Sequence, residues 1–102
     1  EYMLKKGYHT ISIYGMSFMG QILLNELNTC GLEVKYGIDQ RAREQELEIP
    51  VYLPTDELEK VDAVIVTAVM NFYEIKGILT KKIDFEILSL EDILYEMEEE
   101  QD

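Results

Sequence analysis

The chain has one cysteine, Cys30, one histidine, His9, and no tryptophan among its 102 residues. A lone thiol cannot close an internal disulfide or supply a cysteine-based zinc site, so the sequence reads as a reduced, intracellular protein. Cys30 itself reads as a stray, partly buried thiol. Basic residues are scarce, with 9 Lys or Arg against 21 Asp or Glu and a net charge of −12. Nucleic-acid binding needs clustered cations and the counterion release they bring, so it is excluded as a function class, as is docking on an anionic membrane surface. Only 2 Pro and 6 Gly are present, which rules out fibrous and low-complexity classes. Long apolar runs are missing too. The longest, Ala63 to Met70 with Thr67 inside it, is too short to span a bilayer, and the N-terminus has no signal-peptide core. A cytoplasmic location without membrane insertion is expected. His9 has no acidic or nucleophilic partner evident in the pattern and reads as solvated or structural; no catalytic residue and no metal site are expected.

What is present is an ordinary globular composition, 47% hydrophobic and 29% charged. The length suits one domain with a radius of gyration of about 13 Å. Because the sequence starts at Glu1 and not at Met, a piece of a longer polypeptide is expected, with any catalytic domain elsewhere on it.

Periodicity alternates between two and 3.6 along the chain. Thr10–Tyr14 is a β-type run that ends at Gly15, and Phe18, Met19, Ile22, Leu23, Leu27 and Cys30 then recur at helical spacing. Ser17 is placed to cap that helix and Gly31 to end it. Leu32–Ile38 alternates as a second strand, followed by a polar loop over 40–48. Ile49–Leu53 reads as a brief outer strand because Pro50 cannot donate to a ladder. Thr55 then caps a predicted short helix with Asp56 and Glu57 in its first turn. Asp62–Val69, apolar on both faces, is the central strand. Asn71 and Glu74 form a predicted capping box for a helix with Phe72, Ile75, Ile78 and Leu79 on its buried face. Asp84–Leu88 is the last strand, and Ser89 with Asp92 opens a terminal helix through Ile93, Leu94 and Met97. The order β-α-β-β-α-β-α-β-α predicts an α/β fold: a single Rossmann-like domain with a five-stranded parallel sheet, order 3-2-1-4-5, and helices on both faces.

Ligands in open α/β sheets bind at the carboxyl ends of the strands, where the winding reverses. Two loops meet there, Tyr14–Gly20 and Thr67–Asn71. The first matches the dinucleotide fingerprint G-x-G-x-x-G except that Ser17 replaces the second glycine. Gly15 makes the tight turn, Gly20 allows close helix–strand packing, and the helix N-terminus offers free N–H groups to phosphate. Asp39, 24 residues after Gly15 and at the end of the second strand, can accept hydrogen bonds from ribose hydroxyls. Arg41 and Arg43 could instead neutralise a further phosphate, which leaves the phosphorylation state of the ligand open. Met16 and Met19 read as core filling, with ligand contact the alternative. A glycine turn needed only for packing and an Asp serving only as a turn residue remain the plainer alternatives. Tyr2 and Lys6 imitate the Tyr-x-x-x-Lys pair of short-chain dehydrogenases but precede the first strand, the wrong place for that chemistry.

The segments Ile13–Gly20, Tyr36–Asp39, Ile49–Tyr52 and Asp62–Ala68 resemble, in nearly unbroken order, a Rossmann-like family. It forms the N-terminal domain of sugar acetyltransferases and the nucleotide-binding domain preceding nucleotide-sugar dehydratases. Similar modules are attached to glycosyltransferases and methyltransferases of bacterial surface-polysaccharide pathways. The chain is more distantly similar to the NAD(H)-sensing domain of Rex repressors and the CoA-binding domain of succinyl-CoA synthetases. The resemblance implies phosphate contacts at Gly15, Ser17, Phe18, Met19 and Gly20, a ribose or base contact at Asp39, and an opposite wall of Thr67, Ala68 and Asn71. It implies NAD(P) or a nucleotide-sugar as ligand, with residues 1–8 a leading segment, 9–97 the nucleotide-binding domain and 98–102 an acidic tail. The expected partners are that small-molecule nucleotide, the missing catalytic domain and a second copy in a homodimer. The alternatives are a Rossmann scaffold without ligand, used for dimerisation or domain docking, and an independent oxidoreductase, for which no substrate domain or proton donor is present.

Acidity is unevenly spread. Nine acids and no base follow Lys82, which leaves 12 acids and 9 bases in residues 1–82. The predicted site therefore lies in a nearly balanced body that can accept an anionic ligand through backbone N–H groups.

Overall fold

Five parallel strands form one sheet in a computed structural model that describes residues 2–44 and 47–101. The strands are β1 (Thr10–Tyr14), β2 (Glu33–Ile38), β3 (Val51–Tyr52), β4 (Ala63–Val66) and β5 (Glu86–Ser89), in the order β3-β2-β1-β4-β5. The helices are α1 (Tyr2–Lys5), α2 (Phe18–Thr29), α3 (Phe72–Thr80) and α4 (Leu90–Gln101), with 3₁₀ turns over Ala42–Glu44 and Val69–Asn71. Gln45 and Glu46, in the expected polar loop, lie outside the described residues. The radius of gyration is 12.9 Å, and no helix of the described residues is long and apolar enough to cross a membrane.

The sheet alternates its side chains between two cores, as the pleat requires. Ile11, Ile13, Ala63 and Ile65 face Leu24 and Leu27 of α2 and Leu90 and Ile93 of α4. Tyr14, Val64 and Val66 face Phe72, Ile75 and Leu79 of α3. Helices thus cover both faces, as the alternation of strand and helix predicts.

Several local expectations are corrected. Residues 53–61 form no helix. The Asp56 carboxylate accepts the Leu53 N–H at 2.8 Å while the Asp56 N–H returns to the Leu53 carbonyl at 3.0 Å, closing a tight turn that leaves Thr55 without a helix to cap. The connection from β3 to β4 is instead an extended strap. It is held by the Lys82 ammonium, which donates to the Pro54 and Asp56 carbonyls, and by the Tyr36 hydroxyl on the Glu59 carbonyl. Lys35 adds an exposed ion pair to Glu59 at 3.0 Å. Neither Ser17 nor Asn71 makes a side-chain cap bond, so the predicted capping box does not form. Gly31 does end α2, at φ +87°. The first eight residues contain α1, whose Met3 is buried in the core beside α2. α4 runs through Gln101, across most of the segment read as an acidic tail.

α2 also sits in a different phase from the one its apolar spacing predicts, whereas α3 buries Phe72, Ile75 and Leu79 and α4 buries Ile93 as expected. Gly20, Leu24 and Leu27 form the buried face of α2, whereas Phe18, Met19 and Ile22 are exposed. Ile78 of α3 and Leu94 of α4 are exposed too. Cys30 is a half-buried free thiol.

At the amino ends of the strands, Asp62 ties β4 to β1. Its carboxylate accepts the His9 and Thr10 N–H groups at 2.7 and 3.0 Å, and its own N–H donates to Thr10. These backbone donors hold the Asp62 pKa below its ordinary 3.8. The contribution is therefore complete above the unfolded-state pKa and is lost as pH falls through the lower folded value. Asp62→Asn is expected to lower the urea midpoint at neutral pH and to narrow its gap from the parent chain as the solution is acidified below that range. A gap that stays constant with pH would show that the carboxylate charge contributes nothing.

Candidate functional site

The site is built on the turn after β1. Gly15 has φ +96°, a conformation that side chains other than glycine rarely adopt, and its N–H donates to the Ile38 carbonyl at 2.7 Å. A β-carbon at Gly15 would collide with the Thr67 hydroxyl oxygen. That hydroxyl donates toward the Tyr14 and Gly15 carbonyls, 3.1 and 3.0 Å away, and the Thr67 N–H also reaches the Tyr14 carbonyl. Thr67 therefore locks the loop after β4 onto the loop after β1. A β-carbon at Gly20 would overlap the Gly15 carbonyl, so α2 is seated directly on the turn. Met16 is fully buried and lies across Gly37 of β2, where a β-carbon would stand 2.8 Å from its sulfur.

α2 begins uncapped. Ser17 is exposed, with extended backbone and no side-chain bond to the first turn. Phe18 and Met19 point outward, so Met19, unlike Met16, is not core filling. The side chain of Gln21 reaches back to the Met16 carbonyl at 3.1 Å. The N–H groups of Phe18, Met19 and Gly20 are those a helix leaves without internal acceptors, at the positive end of its dipole.

Asp39 follows β2 and is half-buried. One carboxylate oxygen accepts the Met16 N–H at 2.8 Å and the other the Arg41 N–H at 2.8 Å. The second of these bonds is the turn-residue role that the sequence left as an alternative, and the first binds the acid to the glycine loop. Each oxygen keeps a further lone-pair direction for a hydroxyl donor.

Beside Asp39 opens a cleft of about 270 Å³. Of the nine residues assigned from sequence, Asp39, Ala68 and Asn71 line it, together with Tyr14, Arg41 and Glu74. Gly15, Ser17, Phe18, Met19 and Gly20 do not line it. They form the adjoining turn and helix end, and Thr67 joins the two parts. Gln40, Glu74, Ile75 and Ile78 were not assigned to the site from sequence, and Tyr14 entered only as the first residue of the loop through Gly20. Glu74 stood out only as a capping residue, but its place in the first turn of α3, the helix after β4, puts it in the crevice. Tyr14 is the last strand residue before the turn, facing the α3 side. Its phenol pKa is raised chiefly by burial; a hydrogen bond with the Gln40 side chain opposes this, and the negative charges of Asp39 and Glu74 add smaller upward effects. The cleft therefore presents a neutral phenol between two carboxylates, with amides and one guanidinium at its rim. Such a set suits a ligand bearing several hydroxyls. Among the described residues, no group of three or more His, Cys, Asp or Glu side chains is placed to hold a metal ion.

Comparison of the chain with protein-family models, with curated proteins and with solved structures finds no match in any of the three.

The Gly15–Thr67 contact can be measured by a double-mutant cycle. Gly15→Ala is expected to cost about 2 kcal/mol, from the positive φ and the collision together, and Thr67→Ala about 1 kcal/mol for the lost hydroxyl bonds. Removing the hydroxyl first makes room for the methyl, so the double variant should cost roughly 1 kcal/mol less than the sum. Strict additivity in urea titrations would show that the contact does not constrain the turn.

Proposed function

We propose that this chain is a nucleotide- or dinucleotide-binding module, taking NAD(P) or a nucleotide-sugar, and that it belongs to a larger bacterial sugar-modifying or surface-polysaccharide protein. The observation that carries the reading is the 2.8 Å bond from the Met16 N–H to Asp39, which fixes an acid beside the turn that leads into the open α2 terminus. Phosphate would meet the first-turn N–H groups of α2, and ribose or sugar hydroxyls would meet Asp39 and Glu74 in the cleft. The parent protein's identity rests on the resemblance of the loop and strand segments alone, and the chemistry is assigned to a domain other than this one.

A ligand-free scaffold for dimerisation or domain docking is the second reading. It is favoured by the exposure of Phe18 (77%), Met70 (93%) and Tyr73 (84%) at the carboxyl end of the sheet. Calorimetric titration with NAD(H), NADP(H), UDP-sugars and CoA separates the two. One of them should bind, and Asp39→Asn, which keeps an acceptor for the Met16 N–H but turns its amide nitrogen toward the Arg41 N–H, should weaken it about tenfold, roughly 1.4 kcal/mol, with the chain still folded and its melting temperature lowered only slightly. Arg41→Ala should act on NADP(H) more than on NAD(H). Binding of none, with concentration-dependent association in sedimentation, would establish the scaffold in its place.

A further inference from the structure

The two edges of the sheet are finished differently. β3 is two residues long and is bracketed by Pro50 and Pro54, so it offers little backbone to a neighbouring strand. β5 runs through four residues without proline and pairs with β4 in unbroken register from Ala63↔Glu86 to Val66↔Ser89. Its Ile87 and Leu88 pack on opposite cores, the pattern of an interior strand, yet both are only half-buried.

A cleft of about 440 Å³ runs along this edge. Its walls include Phe72, Tyr73 and Lys76 of α3 and Asp92, Ile93 and Glu96 of α4, with β5 between them. α3 and α4 cover opposite faces of the sheet, so a cleft lined by both must pass over the open edge of β5. In a parallel strand, alternate residues turn both N–H and carbonyl away from the paired neighbour, and on β5 these groups lie in that cleft.

The walls differ in chemistry. On the α3 side Phe72 and Tyr73 meet edge to face at 5.3 Å, and the Lys76 ammonium stands 5.8 Å over the Phe72 ring. On the α4 side stand Asp92 and Glu96, within the stretch beyond Lys82 that has nine acids and no base, and Lys6 and Tyr8 of the leading segment complete the lining, so that two carboxylates there face one ammonium. A strand laid along β5 would point successive side chains at the aromatic wall and the acidic wall in turn. We propose that the open edge of β5 receives an extended peptide in which apolar residues alternate with lysine or arginine, adding a sixth strand through main-chain hydrogen bonds. A second copy of this chain fits worse, because it would bring the same acids and a charge of −12 to an acidic surface.

The test is a titration of the isotope-labelled chain with a short synthetic peptide alternating valine and lysine, read by amide shifts and hydrogen exchange. Two controls are run: the same peptide methylated on every backbone nitrogen, and its valine–glutamate counterpart. Saturable shifts and slowed exchange at Glu86–Ser89 are expected. Both controls, and the valine–lysine peptide against Glu96→Lys, should bind at least about tenfold more weakly. Failure of the valine–lysine peptide to bind, equal binding of the methylated peptide, or preference for the glutamate peptide would each overturn the proposal. Protection of β5 that instead rises with protein concentration alone would overturn it by assigning the edge to a second copy.

Discussion

Gly20 lies against the Gly15 carbonyl with no room for a β-carbon, and Gly15 lies against the Thr67 hydroxyl in the same way. Two successive approaches of this kind bring α2, β1 and the loop after β4 into contact at a single point. β2 joins them through Met16, which crosses Gly37, and through Asp39, which takes the Met16 N–H. Four elements are thus registered at the carboxyl end of the sheet by missing side chains and a few short hydrogen bonds. The Gly20 approach is the less tolerant of the two, because a collision between a β-carbon and a main-chain oxygen has no flexible atom to yield.

The same contact fixes the rotation of α2. With Gly20 on the sheet, Leu24 and Leu27 follow at the spacing of one helix face and enter the core, each worth about 2 kcal/mol of burial. Phe18, Met19 and Ile22 are then turned to solvent, although their spacing alone made them candidates for the buried stripe. The exposed apolar cluster near the proposed site is therefore a consequence of the glycine contact and not of a weakly packed helix. It also leaves the first turn of α2 uncovered, with Ser17 outside and no cap on the N–H groups.

Strand order and fold class were legible because alternation of period two with period 3.6, plus one strand apolar on both faces, admits few topologies. Asp39, Ala68 and Asn71 reach the crevice because position relative to strand ends is itself set by topology. What was not legible depended on contacts between distant segments. The expected helix after Thr55 gives way to a strap because Asp56 closes its own turn and Lys82, from the end of α3, holds the Pro54 and Asp56 carbonyls. Glu74 looked like half of a capping box because its spacing from Asn71 fits one, and only the placement of α3 across the strand ends puts it in the cleft. Tyr14 was placed in the loop at the crevice but not among the ligand contacts, because a strand aromatic is ordinarily core, and this one is both core and wall.

Charge orders the two halves of the proposed site. The cleft has Asp39 and Glu74 close enough to raise the Tyr14 pKa, so a phosphate placed there would face two carboxylates. Arg41 is the one cation among the described lining residues, and one guanidinium does not reverse that balance. The turn and the head of α2 have no acidic side chain in their first turn and end in backbone donors. On the proposed reading, the anionic part of a ligand must lie over α2 and its hydroxyl-bearing part beside Asp39. Ser17 stands at the head of α2, exposed and with no side-chain cap bond. On that reading its β-carbon would keep a phosphate farther from the backbone than a glycine would, and its exposed hydroxyl, unused in capping α2, would be available to donate to it. The substitution that weakens the glycine fingerprint is therefore compatible with an anion held at a slightly greater distance, by a hydroxyl and the helix dipole together.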